Sequence, residues 1–147
     1  MVARRNADIG QDARMTSRTR VYLEQGTTWT FACAVDWPGW CRRGKGDAAA
    51  LEALLGYTDR YGAVVGAGFA PGEVEVVGTL AGGTTTDFGA PEVSGPWDGE
   101  PLDAAEGARQ TGLLTGCWEA FDAVVGTAPG ELRKGPRGGG RDRDEIV

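Results

Sequence analysis

The chain has 147 residues, enough for one ordinary domain or for a small domain carrying an appendage that packs against something else. A formal charge of −6 argues against a general nucleic-acid binder, and zero histidines with three cysteines lacking CxxC spacing argue against a zinc site or a disulfide framework. With no apolar run near the roughly 20 residues of a membrane span and no signal-peptide core, the expectation is a soluble, cytoplasmic protein of bacterial style.

Residues 1–17 are polar, aperiodic and rich in Arg and Asp, which predicts a disordered leader, with Met15 an alternative start. Basic residues gather at both ends, Arg4, Arg5, Arg14, Arg18 and Arg20 at one and Arg133, Lys134, Arg137, Arg141 and Arg143 at the other. They read as solvated charge more readily than as nucleic-acid contacts. From Arg20 the pattern is extended: Val21 and Leu23 alternate with Tyr22 and Glu24, and Gln25-Gly-Thr-Thr28 supplies turn residues. The next run alternates cleanly. Trp29, Phe31, Cys33 and Val35 form a bulky face, and Thr30, Ala32, Ala34 and Asp36 a small one that leaves room for close approach. Pro38-Gly39 marks a tight turn, and Trp40 to Lys45 returns as a short strand with a basic edge.

Asp47 is placed as the cap of a helix whose Leu51, Leu54, Leu55, Thr58, Tyr61 and Val65 repeat at helical spacing. This helix is expected to bury its stripe against Trp29, Phe31 and Val35, and to end at Gly62, Gly66 and Gly68. Glu73 to Leu80 reads as one more strand. Residues 81–101 are rich in Gly, Pro, Thr and Ser and read as a linker. Asp103-Ala-Ala-Glu106 then has the capping-box arrangement and opens an amphipathic helix over 102–126. Leu113, Leu114, Cys117, Trp118, Phe121, Val124 and Val125 form its apolar stripe, interrupted by Gly107, Gly112 and Gly116. Residues 127–147 read as a flexible tail, with a helix opening at Asp142 to Val147. The fold class implied is α+β: a small antiparallel sheet over 18–80 with one helix packed on it, in the order strand-strand-strand-helix-strand, plus the C-terminal amphipathic helix.

The run Phe31-Ala-Cys-Ala-Val-Asp, then Pro38-Gly39, Gly44 and the helix start at Ala50-Leu51 to Leu55, resembles the HicB-like antitoxin domain. That resemblance runs from Trp29 to Tyr61 and implies two strands joined by a Pro-Gly turn with a helix over the sheet. Such domains often place Cys directly after Pro-Gly, whereas here Trp40 comes first and Cys41 second. It also implies neutralisation of a small RNA-cleaving toxin, although no DNA-binding extension is recognisable. The later helix, the linker Arg133-Lys-Gly-Pro-Arg-Gly-Gly-Gly-Arg and the opening at Asp142 resemble the start of actinobacterial proteins related to the DinB-like four-helix bundle family. In that family the metal-ligating histidines come later, so no metal ligand carries over to a residue of this chain.

Catalytic chemistry finds little support. Asp87-Phe88-Gly89 matches the kinase magnesium tripeptide, but the glycine-rich loop and the His-Arg-Asp triplet are missing. Gly135-Pro-Arg-Gly-Gly-Gly-Arg141 lacks the Gly-Lys-Ser/Thr of a phosphate loop and reads as a hinge. Cys33 reads as a small core hydrophobe and Cys41, beside Arg42 and Arg43, as the more exposed thiol, with no histidine base for either. The sequence therefore names no catalytic, metal or cofactor site. The reading it favours is a non-catalytic HicB-like module that binds a partner protein or self-associates through its C-terminal helix. The alternative is the N-terminal part of a DinB-like metal-dependent protein. The candidate partner-binding residues are Trp37, Trp40, Leu113, Leu114, Trp118 and Phe121. For the two tryptophans a second reading stands beside that one, in which they cap the core.

Overall fold

The computed structural model describes residues 17–66 and 68–147. The expected leader, with Met15, lies outside the described residues except for Ser17, whose carbonyl accepts from Glu73 N at 2.9 Å. The fold is mixed α+β. Strands β1 (Arg18–Gln25), β2 (Thr30–Ala34) and β3 (Cys41–Gly44) form an antiparallel meander, and β4 (Glu73–Ala81) adds on the other side to give the order β3-β2-β1-β4. The fourth strand differs from the expected antiparallel sheet, because it pairs parallel to β1. A parallel neighbour needs a crossover, and here helices α1 (Asp47–Leu55) and α2 (Thr58–Val65) carry the chain back over one face of the sheet.

The single expected helix is thus two. Gly56 and Tyr57 close α1 by donating to the carbonyls of Glu52 (2.9 Å) and Leu54 (3.1 Å), and the Thr58 hydroxyl bonds Leu55 O at 2.7 Å. Asp47 is the first helical residue and caps nothing; Gln25 Nε2 donates to its carboxylate at 2.8 Å, and Gly46 with φ of 87° precedes it.

The helices also lie on the face opposite to the expected one. They cover Val21, Leu23, Ala32 and Ala34, and the core formed with Trp37, Trp40, Ala50, Leu54, Val65 and Leu113 sits there. Ala32 and Ala34 are small, so helix backbone approaches the sheet closely, which the bulkier Phe31 face does not allow. Phe69 fills the edge of this core, in edge-on contact with Trp37 (4.9 Å), Trp40 (5.3 Å) and Tyr61 (4.9 Å).

The bulky face is covered by the segment expected to be a linker. Residues 82–101 fold back over it with helix α3 (Thr84–Phe88) and a 3-10 turn, Pro96–Gly99. Trp97 stacks on Tyr22 at 4.9 Å, and Gly78 of β4 makes room for it, since a Cβ there would lie 3.2 Å from the indole. The attachment is anchored by Glu24. Its carboxylate is fully buried and accepts from the Thr86 hydroxyl (2.6 Å), Glu92 N (2.9 Å) and Val93 N (3.0 Å).

Helix α4 (Ala104–Thr127) packs against α2, and Gly116 permits the contact: a Cβ there would meet Val65 O at 3.0 Å. Asp103 caps α4 by accepting from Glu106 N at 2.8 Å, as its position in the sequence implied. The chain beyond α4, expected to be a flexible tail, folds back on the helix end. Arg143 Nη1 donates to Ala128 O (3.0 Å), Arg143 N to Gly130 O (3.0 Å), and Leu132 N to Asp142 Oδ1 (3.1 Å). Asp142 leads into a single 3-10 turn, Arg143–Glu145.

Candidate functional site

The six residues singled out from the sequence divide into two sets. Trp37, Trp40 and Leu113 are buried in the core. The two tryptophans are therefore not partner-binding positions. Trp40 Nε1 donates to Leu54 O (3.0 Å) and Trp37 Nε1 to the Thr19 hydroxyl (3.2 Å), so each indole has its hydrogen bond inside the protein. Leu113 faces the same core, which removes it from the candidate surface too.

Leu114, Trp118 and Phe121 are exposed, at 58%, 59% and 40%, and Val124 extends the face at 64%. Their spacing of three and four residues puts them on one side of α4, where Trp118 and Phe121 meet edge to face at 6.1 Å. Helical geometry explains the split, because α4 can turn only one edge of its apolar stripe towards α2 and the sheet. Between Gln110 and Leu132 the only charged side chains are Glu119, Asp122 and Glu131, so every charge carried by this stretch is acidic, and Arg143 folds back only onto the helix end at Ala128.

The other end of α4 is fixed by charge. Arg109 pairs with Glu106 at 2.6 Å, donates to Asp36 O at 2.5 Å and lies over the Trp37 ring at 4.6 Å. Arg20 bridges Asp36 (2.9 Å) and Glu100 (3.0 Å) beside it. Hydrogen bonds from Arg109 hold the Glu106 carboxyl below the ordinary glutamate value, with Gln110 adding to the effect against a smaller desolvation penalty. Apart from Arg109 Nη1, which is buried without a hydrogen-bond partner, these groups are engaged with one another and position α4.

Asp87, the acid of the Asp-Phe-Gly tripeptide, is equally structural. Its carboxylate accepts from the backbone amides of Thr28 (2.7 Å), Thr27 (3.0 Å) and Trp29 (3.2 Å), closing the β1–β2 turn, while Phe88 is 90% exposed. The Thr28 amide is the largest of the influences that hold the Asp87 carboxyl below the ordinary aspartate value. A carboxyl held low in the native state stabilises the fold above its unfolded value, and that contribution is lost as pH falls through the native one. The unfolded values are about 3.9 for Asp and 4.3 for Glu. The urea midpoint should therefore stay nearly level from neutral pH down to about pH 5 and fall below about pH 4. The drop should be shallower in Asp87→Asn, and an identical pH slope in that variant would show that Asp87 does not contribute.

A third feature escapes the sequence reading. Cys33 and Cys41 meet across β2 and β3 with their sulfurs 2.8 Å apart, on the face covered by Trp97. A hydrogen bond from the Cys41 thiol, with one from the Tyr22 hydroxyl, outweighs burial and holds the Cys33 thiol below its usual value. Cys41 moves the opposite way, raised by the same bond to Cys33 and by burial, and its neighbour Arg42 offsets this only in part. Cys41, which the sequence places beside Arg42 and Arg43, is thus the less acidic of the two thiols.

Comparison with protein-family models, curated proteins and solved structures finds no match to this chain. Among the described residues no group of three or more His, Cys, Asp or Glu side chains is arranged to hold a metal ion, and no helix is long and apolar enough to cross a membrane.

Proposed function

We propose that the chain is a protein-binding module that presents the exposed face of α4 to a partner carrying an apolar segment flanked by basic residues. The observation that carries this reading is the row Leu114, Trp118, Phe121 and Val124, which lies in solvent on a helix anchored at its other end by Arg109. Large apolar side chains held in one row on a rigid element are what interfaces use as anchors. The acidic Glu119 and Asp122 beside them select the sign of the partner's charge. A second copy of the chain is a poorer fit, because an antiparallel pairing about the middle of the stripe sets these acidic groups against their own copies. The HicB-like resemblance implies a partner that is a small RNA-cleaving protein.

A synthetic amphipathic helix of Leu and Lys, set against a Leu and Glu counterpart, tests the reading by calorimetry. The basic peptide should bind and the acidic one should not. Leu114→Asp combined with Phe121→Asp should weaken binding by about a hundredfold, some 2.7 kcal/mol, while circular dichroism and the unfolding midpoint stay close to the parent values. Equal binding of both peptides, or binding unaffected by the double substitution, would overturn the proposal. A concentration-dependent dimer abolished by the same substitutions would replace the partner by a second copy.

A further inference from the structure

Three side chains from neighbouring strands share one level of the sheet on the face away from α1 and α2. Tyr22 of β1 pairs with Cys33 of β2, and Cys33 pairs with Cys41 of β3. Ala34 N donates to Trp40 O at 2.9 Å, which makes 34 and 40 a hydrogen-bonded pair and leaves 33 and 41 as the adjacent non-hydrogen-bonded pair. In that kind of pair the Cα atoms come to about 4.5 Å and the side chains are closest. A disulfide spans Cα separations of about 4.4–6.8 Å, so backbone of this register needs little movement to accept one. Both thiols are free. They line a cleft of about 570 Å³ whose walls include Tyr22, Trp40, Pro91 and Trp97. Cys33 is only 5% exposed, which admits a small molecule and keeps out another protein's thiol.

We propose that Cys33 and Cys41 form a reversible dithiol–disulfide pair, oxidised in this cleft by a small hydroperoxide, independently of the α4 face. The Cys33 sulfur, as thiolate, attacks the terminal oxygen of the hydroperoxide. The O–O bond breaks, the remaining fragment leaves as alcohol or water after taking up a proton, and Cys33 becomes a sulfenic acid. The Cys41 sulfur then attacks Cys33 Sγ. The S–S bond forms, the S–O bond breaks, and hydroxide leaves as water with the proton that Cys41 gives up. In sum two thiols lose two hydrogens, and the peroxide is reduced to alcohol or water plus one further water. Cys33 suits the attacking role because the Cys41 thiol lies 2.8 Å from its sulfur and can donate to the thiolate. Cys41 suits the resolving role because it is already in contact with that sulfur. A short cross-strand bridge of this kind is the reducible sort, which fits a reversible switch better than a permanent clamp.

The native full chain tests this without any substitution. It is exposed to a small excess of hydrogen peroxide at neutral pH, quenched with an alkylating agent in denaturant, and digested with trypsin. Cys33 and Cys41 fall on one tryptic peptide, 21–42, and Cys117 falls on another, 110–133, so the exposed Cys117 does not confuse the result. The expected product is peptide 21–42 lighter by two hydrogens, unalkylated, and resistant to fragmentation between its cysteines. Dithiothreitol should restore both alkylatable thiols. With Cys41→Ser the reaction should stall after the first step, and dimedone should label the sulfenic acid on Cys33. Recovery of doubly alkylated 21–42 after peroxide would overturn the proposal, as would a sulfinic acid on one cysteine with the other thiol intact.

Discussion

Replacing Glu24 by Ala should lower stability by about 3–5 kcal/mol, a large part of the 5–15 kcal/mol typical of a whole domain. The carboxylate is fully buried, and its partners all come from the segment 82–101: the Thr86 hydroxyl, Glu92 N and Val93 N. Deleting it leaves the buried Thr86 hydroxyl and the part-buried amides of Glu92 and Val93 without their acceptor, and a buried donor so orphaned costs about 1–3 kcal/mol. The Thr86 hydroxyl also accepts from Gly83 N at 2.9 Å, so the loss spreads into the turn that starts α3. Glu24→Gln keeps the shape and one acceptor oxygen but turns an amide N–H₂ towards the backbone donors, and it should lose about half as much. Urea unfolding measures both. Limited proteolysis provides the structural readout: cleavage within 82–101 should become fast in Glu24→Ala while the sheet and helices α1 and α2 stay protected. Uniform protection of that segment would show that Glu24 is not its anchor. The same variant should uncover Cys33 and Cys41, because Trp97 reaches Tyr22 only while the segment is held down.

The strands and the C-terminal helix were legible in the sequence because each rests on local chemistry: alternation in β2, Pro38-Gly39 at a turn, Asp103 as a cap. What was not legible depends on pairings between distant segments. Alternation gives β2 two faces and does not say which one receives the helices; the small residues Ala32 and Ala34 were the available signal, since close helix packing needs them. The meeting of Cys33 with Cys41 was hidden for a related reason. A tight hairpin about Pro38-Gly39 would pair Cys33 with Gly44, but the observed register is offset from that by three residues. Residues 35–37 follow β1 instead of turning at once. Val35 N donates to Arg20 O (2.8 Å), Asp36 accepts from Arg20 N (2.6 Å) and Nε (2.9 Å), and Trp37 Nε1 donates to Thr19. An aspartate in the turn thus fixes the register that brings the two thiols together. Glu24 and Asp87 were missed because their partners lie about 60 residues away in sequence. A composition rich in Gly, Pro and Thr reads as a linker whether or not a buried carboxylate holds it.

The second large effect is expected at Gly44, where β3 passes under the start of α1. A Cβ built there would lie 2.3 Å from the carbonyl carbon of Ala49 and 2.4 Å from Ala50 N, both backbone atoms. Carbon atoms pack at about 3.5–4.0 Å, so the helix start would have to lift by more than 1 Å. Neither Ala49 nor Ala50 can rotate out of the way, and Ala50 is itself fully buried. Gly44→Ala should therefore cost about 3 kcal/mol, the upper end for overpacking, and lower the melting temperature by about 10 °C. Two residues on, Gly46 supplies the contrast: its φ of 87° disfavours any side chain, yet nothing lies within 4 Å of a Cβ there. Gly46→Ala should cost only its backbone strain, about 1–2 kcal/mol. The two variants also differ in what they disturb. Lifting α1 moves Leu54 O away from Trp40 Nε1, so Gly44→Ala should shift the tryptophan near-ultraviolet dichroism while Gly46→Ala leaves it unchanged. Equal losses and unchanged spectra in both would mean that conformational freedom alone, and not the close approach of helix to sheet, fixes glycine at position 44.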